Sequence, residues 1–210
     1  MLLSSGRTTV TDPSLTTVAW RTELPVLVGR AVTLREPLAS DLGPLIDLFA
    51  LADASRFGLD EPAPDFAIQQ LIESAPRDRA AGRAFTYVVT LNLSRAVVGL
   101  LQVRQLDPAF EAAEWECMLV PSVRGSGVFL EAARLAGSLA FGVVGTHRLE
   151  ARALLQNGRA NGALRKLGAV QEGVLRRSVR RHDEYVDQVL WAVLKEDWGE
   201  HWVSTEARVH

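Results

Sequence analysis

The chain has 210 residues, 48% of them apolar and 23% charged, and a formal net charge of −2. This length suits one well-buried domain, and the charge gives no bulk electrostatic reason to expect a nucleic-acid partner. The single cysteine, Cys117, excludes an internal disulfide framework and a cysteine-rich zinc site, and no apolar run approaches the roughly 20 residues that cross a bilayer.

Both ends of the chain differ in composition from its centre. Residues 1–18 are rich in Ser and Thr and lack periodicity, so we expect a flexible leader without a secretory signal. Residues 199–210 are expected to form a C-terminal tail, which leaves residues 19–198 as a single domain. We therefore expect a cytoplasmic protein with no membrane partner and no bound metal.

The first third of the domain combines one strand with two helices. A strand is predicted at Val32–Arg35, followed by a helix that Ser40 or Asp41 caps. A second helix is predicted from about Asp65 to Arg79, although the central Pro76 opposes it.

The remainder alternates strands and helices. A hairpin is predicted at 85–91 and 96–103, then a strand at 114–119, a helix at 128–141 and a strand at 149–155. A short helix at 161–167 ends at Gly168, and strands near 172–179 and 185–194 follow. This order predicts an α+β domain around one mixed sheet.

The segment from Leu119 to Val128 places a glycine-containing turn between a strand and a helix. The unpaired N–H groups and partial positive charge of a helix N-terminus bind phosphate oxygens, and glycines let the backbone approach a ligand. A turn without any ligand is the alternative interpretation. The predicted binding residues here are Leu119, Val120, Arg124, Gly125, Ser126, Gly127 and Val128.

A second segment follows the next strand, from Asn157 to Ala169. By itself it predicts an asparagine-capped helix that Gly168 ends. Its order and spacing relative to the glycine turn favour a shared binding role.

These two segments resemble the GCN5-related N-acetyltransferases (GNAT), and within them the branch of ribosomal-protein N-terminal acetyltransferases. The resemblance runs from about Leu27 to Trp198, with Arg124, Gly125 and Gly127 matching the pyrophosphate-binding loop. A further set matches the branch downstream: Asn157, Leu164, Lys166, Leu167, Gly168, Glu172, Gly173 and Asp187.

The resemblance implies a mostly antiparallel mixed sheet flanked by helices, and acetyl-CoA as co-substrate. It also implies that Asn157 orients the pantetheine arm and that backbone N–H groups near Leu119 and Val120 stabilise the oxyanion. The sequence departs from the family pattern at several positions. Ser122 replaces Arg or Gln, Ala160 replaces Ser, Ala169 replaces Phe, Glu116 replaces Gly, and Leu164 stands where many members have a tyrosine acid.

In this family the acceptor amine attacks the thioester directly, so Cys117 is expected to be a buried apolar residue. The amine must lose a proton, and Glu114, Glu116 and Glu150 are the candidate bases. Glu114 and Glu116 lie two apart on a strand and therefore face the same side, where like charges would raise one pKa. The alternative is that these carboxylates only pair with arginines.

The sequence therefore predicts an N-acetyltransferase acting on a protein N-terminus or a small amine. A catalytically impaired protein that binds coenzyme A, and an enzyme using a longer donor such as succinyl-CoA, stay open. Trp198 and Trp202 suggest a homodimer, with nearly equal weight given to a turn that folds back onto its own domain and covers Trp20.

Overall fold

The structure is a computed structural model that describes residues 19–50, 63–181 and 183–198. The predicted leader at 1–18, the predicted tail at 199–210 and Trp202 lie outside the described residues. Within the described part of the chain, no helix has both the length and the apolarity to cross a membrane.

One eight-stranded sheet forms the centre of the described fold, in the order β1-β2-β3-β4-β5-β6-β8-β7. All neighbours are antiparallel except β5 and β6, which are parallel. The strands are β1 (Leu27–Val28), β2 (Val32–Arg35), β3 (Ala84–Leu91), β4 (Val97–Gln105), β5 (Ala112–Leu119), β6 (Arg148–Leu154), β7 (Val170–Arg181) and β8 (Glu184–Leu194).

The helices among the described residues are α1 (Ala19–Thr22), α2 (Leu42–Ala50), α3 (Asp65–Ala80), α4 (Val128–Leu139) and α5 (Gly158–Lys166). The predicted α+β architecture, a mostly antiparallel mixed sheet flanked by helices, is confirmed. The predicted strand at Val32–Arg35 is also confirmed, residue for residue.

Local details differ from the sequence-based expectations. Asp41 lies in a 3-10 turn before α2, where its carboxylate binds Arg35 and accepts a hydrogen bond from the Leu38 N–H (2.7 Å). Helix α3 runs through Pro76 without a break, and its buried Ile68 and Ile72 show that packing on the sheet outweighs the lost backbone hydrogen bond.

The two faces of the sheet carry separate apolar clusters. On the first, which we call the α3 face, α2 and α3 pack Leu45 and Ile68 against Val88 and Leu100. On the second, the α4 face, the larger core includes residues of α1, α4 and α5. Trp20 of α1 is 1% exposed there and packs edge-on against Phe85 and Phe110.

The aromatic end of the domain folds back onto α4. The indole of Trp198 lies 5.2 Å from the ring of Phe141, and its Nε1 donates to Ser138 (3.2 Å). It covers Gly137 so closely that a Cβ there would come within 2.4 Å of the indole. Trp198 therefore contacts its own domain, at α4 rather than at Trp20, which favours the fold-back alternative at this side chain.

Candidate functional site

Strands β5 and β6 pair over only three residues each and then diverge. The pairs join Ala112–Glu114 to Arg148–Glu150, whereas β5 continues to Leu119 and β6 to Leu154. The gap leads into a cavity of about 680 Å³. Its lining includes Trp115 from the α4 face as well as Glu114 from the α3 face, so the cavity reaches both sides of the sheet.

The glycine turn forms the part of the cavity near α4. Gly125 and Gly127 have φ of 79° and 89°, backbone values that favour glycine, and a Cβ built on either would meet only open space. Helix α4 starts immediately after Gly127, and its first internal hydrogen bond runs from the Glu131 N–H to the Gly127 carbonyl (3.1 Å). The N–H groups of residues 128–130 precede that bond and suit an anion.

The predicted binding residues of this turn divide into two groups. Leu119, Arg124, Gly125 and Gly127 line the cavity. The others have local contacts: the Val120 N–H donates to the Val98 carbonyl (2.9 Å), the Ser126 hydroxyl donates to the Val123 carbonyl (2.6 Å), and the Val128 side chain is buried in the core. The amide of Val120 is therefore already engaged.

Asn157 also lines the cavity and caps α5. Its Oδ1 accepts a hydrogen bond from the Ala160 N–H (3.1 Å), so its Nδ2 is the group available to a ligand. The cap starts α5 at Gly158, three residues earlier than the sequence predicted. Asn161, which the sequence analysis did not single out, fixes this helix: its side chain donates to the Leu154 carbonyl (3.0 Å) and accepts from Trp191 (2.8 Å).

Charge in the cavity lining is predominantly basic. Its two acidic residues are Glu114 and Glu116, and its five basic residues are Arg104, Arg124, Arg152, Arg159 and Lys166. Arg124 belongs to the glycine turn, and Arg159 and Lys166 belong to α5. This side of the cavity therefore suits an anionic ligand such as a nucleotide phosphate.

Glu114 is held between two arginines on the α3 face. Its side chain is 2% exposed, its Oε1 accepts from Arg152 Nη1 (2.7 Å), and its Oε2 accepts from Arg104 Nη2. A buried carboxylate needs such compensation. The sequence analysis missed Arg104, because it lies just beyond the predicted strand at 96–103 and its pairing with Glu114 depends on the register between β4 and β5.

Glu116 lies two residues further along β5, at the mouth of the cavity, with 67% of its side chain exposed. Partial desolvation and the nearby charge of Glu114 raise the pKa of Glu116, and Arg104 and Arg152 oppose that shift. Because water still reaches most of the side chain, screening keeps the shift modest. A carboxylate with a raised pKa is a better proton acceptor than an ordinary one.

Glu150 is the remaining candidate base, and it lies outside the cavity lining. Its side chain, 16% exposed, accepts from Arg148 Nε (2.9 Å) and lies 3.8 Å from Arg152 Nη2. Arg148 also binds Glu172, whose pKa this hydrogen bond lowers. The structure therefore brings Glu114 and Glu116 together at the cavity and places Glu150 within a neighbouring ion-pair network.

Cys117 and Leu164 line the cavity from the α4 face. Cys117 is half-buried rather than fully buried, and desolvation raises the pKa of its thiol to about 12, so the thiol stays protonated and is a weak nucleophile. Leu164 is 5% exposed and packs into the core.

Comparisons with known proteins agree with this fold. Residues 31–170 match the family model described as the acetyltransferase (GNAT) domain, over more than half of the chain. The chain is 25% identical over 175 residues to spermidine N(1)-acetyltransferase of Escherichia coli K12, covering 82% of this chain and 91% of that protein.

Solved structures of other proteins share the fold. Mycobacterium smegmatis RimJ in complex with CoA-disulfide superposes with a TM-score of 0.72 and 21% identity, covering 83% of this chain and 89% of RimJ. Spermidine N-acetyltransferase from Vibrio cholerae, in complex with CoA and spermine, gives 0.71 and 20% identity, covering 80% and 98%.

Proposed function

Because the chain belongs to the GNAT acetyltransferase family, we propose that it transfers an acetyl group from acetyl-CoA to a primary amine. The observation that carries this proposal is the cavity between the diverging strands β5 and β6. It joins a phosphate-compatible turn on the α4 face to a carboxylate-bearing surface on the α3 face. Donor and acceptor can thus enter from opposite faces and meet in the gap.

On the donor side, the residues present fit coenzyme A. The α4 N-terminus, the open space beside Gly125 and Gly127, and Arg124 suit the pyrophosphate. Arg159 and Lys166 add positive charge along α5. The Nδ2 of Asn157 suits an amide carbonyl of the pantetheine arm.

The thioester supplies an activated acyl carbon. The amine nitrogen forms a bond to this carbon, the carbon–sulfur bond breaks, and the sulfur leaves with the electron pair as the coenzyme thiolate. One proton of the amine must be removed, and Glu116 is the proposed acceptor of that proton. Glu114 suits this role less well, because both of its oxygens already accept hydrogen bonds from arginines.

The acceptor class is part of the same proposal. The Escherichia coli relative is named for spermidine, and the Vibrio cholerae structure contains spermine. The likeness to RimJ and the branch resemblance suggest a protein N-terminus instead. A small amine and a protein N-terminus are therefore both to be tested, and a cytoplasmic location belongs to this proposal.

An amine panel assayed for thiol release tests the function. Acetyl-CoA and succinyl-CoA are each offered with spermidine, simple monoamines and short peptides with free N-termini. We expect acceptor-dependent thiol release with acetyl-CoA and a product heavier by one acetyl group. Calorimetric binding of coenzyme A without release from any acceptor would favour an impaired binding protein, which Leu164 in place of a tyrosine would explain.

A further inference from the structure

We propose that the acceptor carries an anionic group close to its amine, and that Arg104 and Arg152 select for that group. The inference rests on the proposed function and narrows it. It also separates this chain from relatives named for polyamines, because a polyamine carries only positive charge.

The two arginines come from different strands and meet on the α3 face. Arg104 of β4 pairs in register with Glu114 of β5, and Arg152 lies two residues beyond Glu150, which pairs with Glu114 from the other side. Both guanidinium side chains line the cavity. They therefore flank the end of the cavity where the acceptor is proposed to enter.

The two arginine side chains are much more exposed than Glu114, the carboxylate that both of them bind. The side chains of Arg104 and Arg152 are 52% and 35% exposed, whereas that of Glu114 is 2% exposed. A guanidinium carries five N–H donors, and Glu114 engages Nη2 of Arg104 and Nη1 of Arg152. Glu116 also lies 4.0 Å from Arg104 Nη2 and Glu150 lies 3.8 Å from Arg152 Nη2, and the remaining N–H donors on each arginine can face an incoming ligand.

Glu116 supplies the negative charge at the same end of the cavity. It lies at the cavity mouth, 4.0 Å from Arg104 Nη2, and is the proposed proton acceptor for the amine. Glu150 and Glu172 are bound by Arg148 outside the cavity lining, and Glu150 also lies 3.8 Å from Arg152 Nη2. Within the cavity, Glu116 thus lies where it can accept the proton of the amine. The two guanidinium groups lie where they can bind an anionic group next to that amine.

This arrangement complements an acceptor with one amine and one nearby carboxylate or phosphate. Guanidinium groups bind such anions through paired charged hydrogen bonds. A second ammonium group at the same place would lie against the two arginines, and like charges brought together select against the wrong ligand. Both a free amino acid and a peptide with an acidic first residue carry the required chemistry.

Matched acceptor pairs test the proposal on the whole chain with acetyl-CoA. Glycine is compared with glycinamide, and a peptide beginning with aspartate is compared with the same peptide beginning with asparagine. Spermidine is included as the polyamine. A charged hydrogen bond predicts that the anionic member of a pair has a kcat/KM about 10- to 100-fold higher. The two pairs distinguish a free amino acid from a peptide as the source of the anion.

Arg152→Gln should reduce the ratio of kcat/KM between the anionic and the neutral acceptor of a pair towards one. The change should come chiefly from KM for the anionic acceptor. Arg148→Gln is the matched control, because Arg148 lies on the same strand and face and also binds carboxylates, but it lies outside the cavity lining. It should leave the ratio unchanged. If Arg152→Gln does not fold, Arg104→Gln answers the same question from another strand.

A wild-type ratio near one, or a preference for spermidine, would overturn the inference and leave the proposed function standing. Equal loss of the ratio in Arg148→Gln would also overturn it, since the effect would then be structural. Absence of thiol release with every acceptor would overturn the proposed function, and the inference with it.

Discussion

The two ends of the cavity are built in different ways. The donor end is formed by contiguous stretches of chain, the glycine turn before α4 and the Asn157 cap of α5. The acceptor end is assembled from side chains of β4, β5 and β6, with Glu114 bound by Arg104 and Arg152 from the strands on either side. A local motif specifies the first end, and tertiary pairing specifies the second.

Because of this difference, we expect the donor end to bind the coenzyme and the acceptor end to carry out proton transfer. The donor end offers backbone N–H groups and cationic side chains, which hold an anion. The acceptor end contains carboxylates in unequal surroundings, one buried between arginines and one at the cavity mouth. Substitutions at the donor end should therefore change coenzyme affinity, whereas those at the acceptor end should change rate and pH dependence.

The largest expected effect is on proton transfer, in Glu116→Gln. Loss of a general base lowers the rate by roughly 10²- to 10⁴-fold, with the least effect at alkaline pH. The pKa of Glu116 is raised, so its basic form disappears as pH falls through that value, and wild-type kcat/KM should fall with it. The variant should lose this acidic limb while its affinity for coenzyme A stays unchanged.

Glu150→Gln is the comparison for that experiment, because Glu150 lies on the neighbouring strand but outside the cavity lining. It should keep a rate close to that of the wild type. If Glu116→Gln keeps full activity across pH 6–9 while Glu150→Gln is slow, Glu150 on β6 would be assigned as the base instead. If Glu114→Gln, Glu116→Gln and Glu150→Gln all keep full activity, an ordered water chain is the remaining explanation.

The next effect is on coenzyme binding, in a Gly125→Val, Gly127→Val double variant. Both glycines have positive φ, which costs a side-chain-bearing residue roughly 1–2 kcal/mol each. If the turn must keep its shape to bind, affinity should fall by about 30- to 1,000-fold. Calorimetry with coenzyme A measures the loss, and circular dichroism checks that the variant is folded.

Gly43→Ala is a suitable control, because a Cβ there also meets open space and Gly43 lies in α2, away from the cavity lining. Its affinity for coenzyme A should equal that of the wild type. Unchanged affinity in the folded double variant would place the coenzyme elsewhere.

A smaller effect distinguishes two neighbouring residues of the α5 segment. Asn157→Ala should weaken coenzyme binding by about 3- to 10-fold, through loss of one neutral hydrogen bond. Arg165→Ala should have little effect, because Arg165 lies over the ring of Trp191 (5.6 Å) and outside the cavity lining. A larger loss in Arg165→Ala would reverse the two assignments.

The same contrast explains how much the sequence could predict. The turn from Arg124 to Gly127 and the segment that begins at Asn157 were found because each is encoded within a few residues, although the start of α5 was placed three residues too late. The joint clamp on Glu114 was not, since its partners lie 10 residues upstream and 38 residues downstream. Strand alternation placed Glu114 and Glu116 on one face correctly, but only the structure shows which of them is enclosed.

The smallest expected effect concerns assembly. A homodimer stays a prediction, but Trp198 no longer supports it, because its indole packs against Phe141 and covers Gly137. Trp198→Ser should therefore lower the melting temperature, through a cavity left beside α4, without changing the mass measured by light scattering. Strand β7 is the longer of the two edge strands of the described sheet, Val174 on it is 41% exposed, and exposed edge strands pair readily with another chain. Val174→Lys should accordingly separate a dimer that survives Trp198→Ser, whereas a wild-type monomer at tens of micromolar would end the dimer hypothesis.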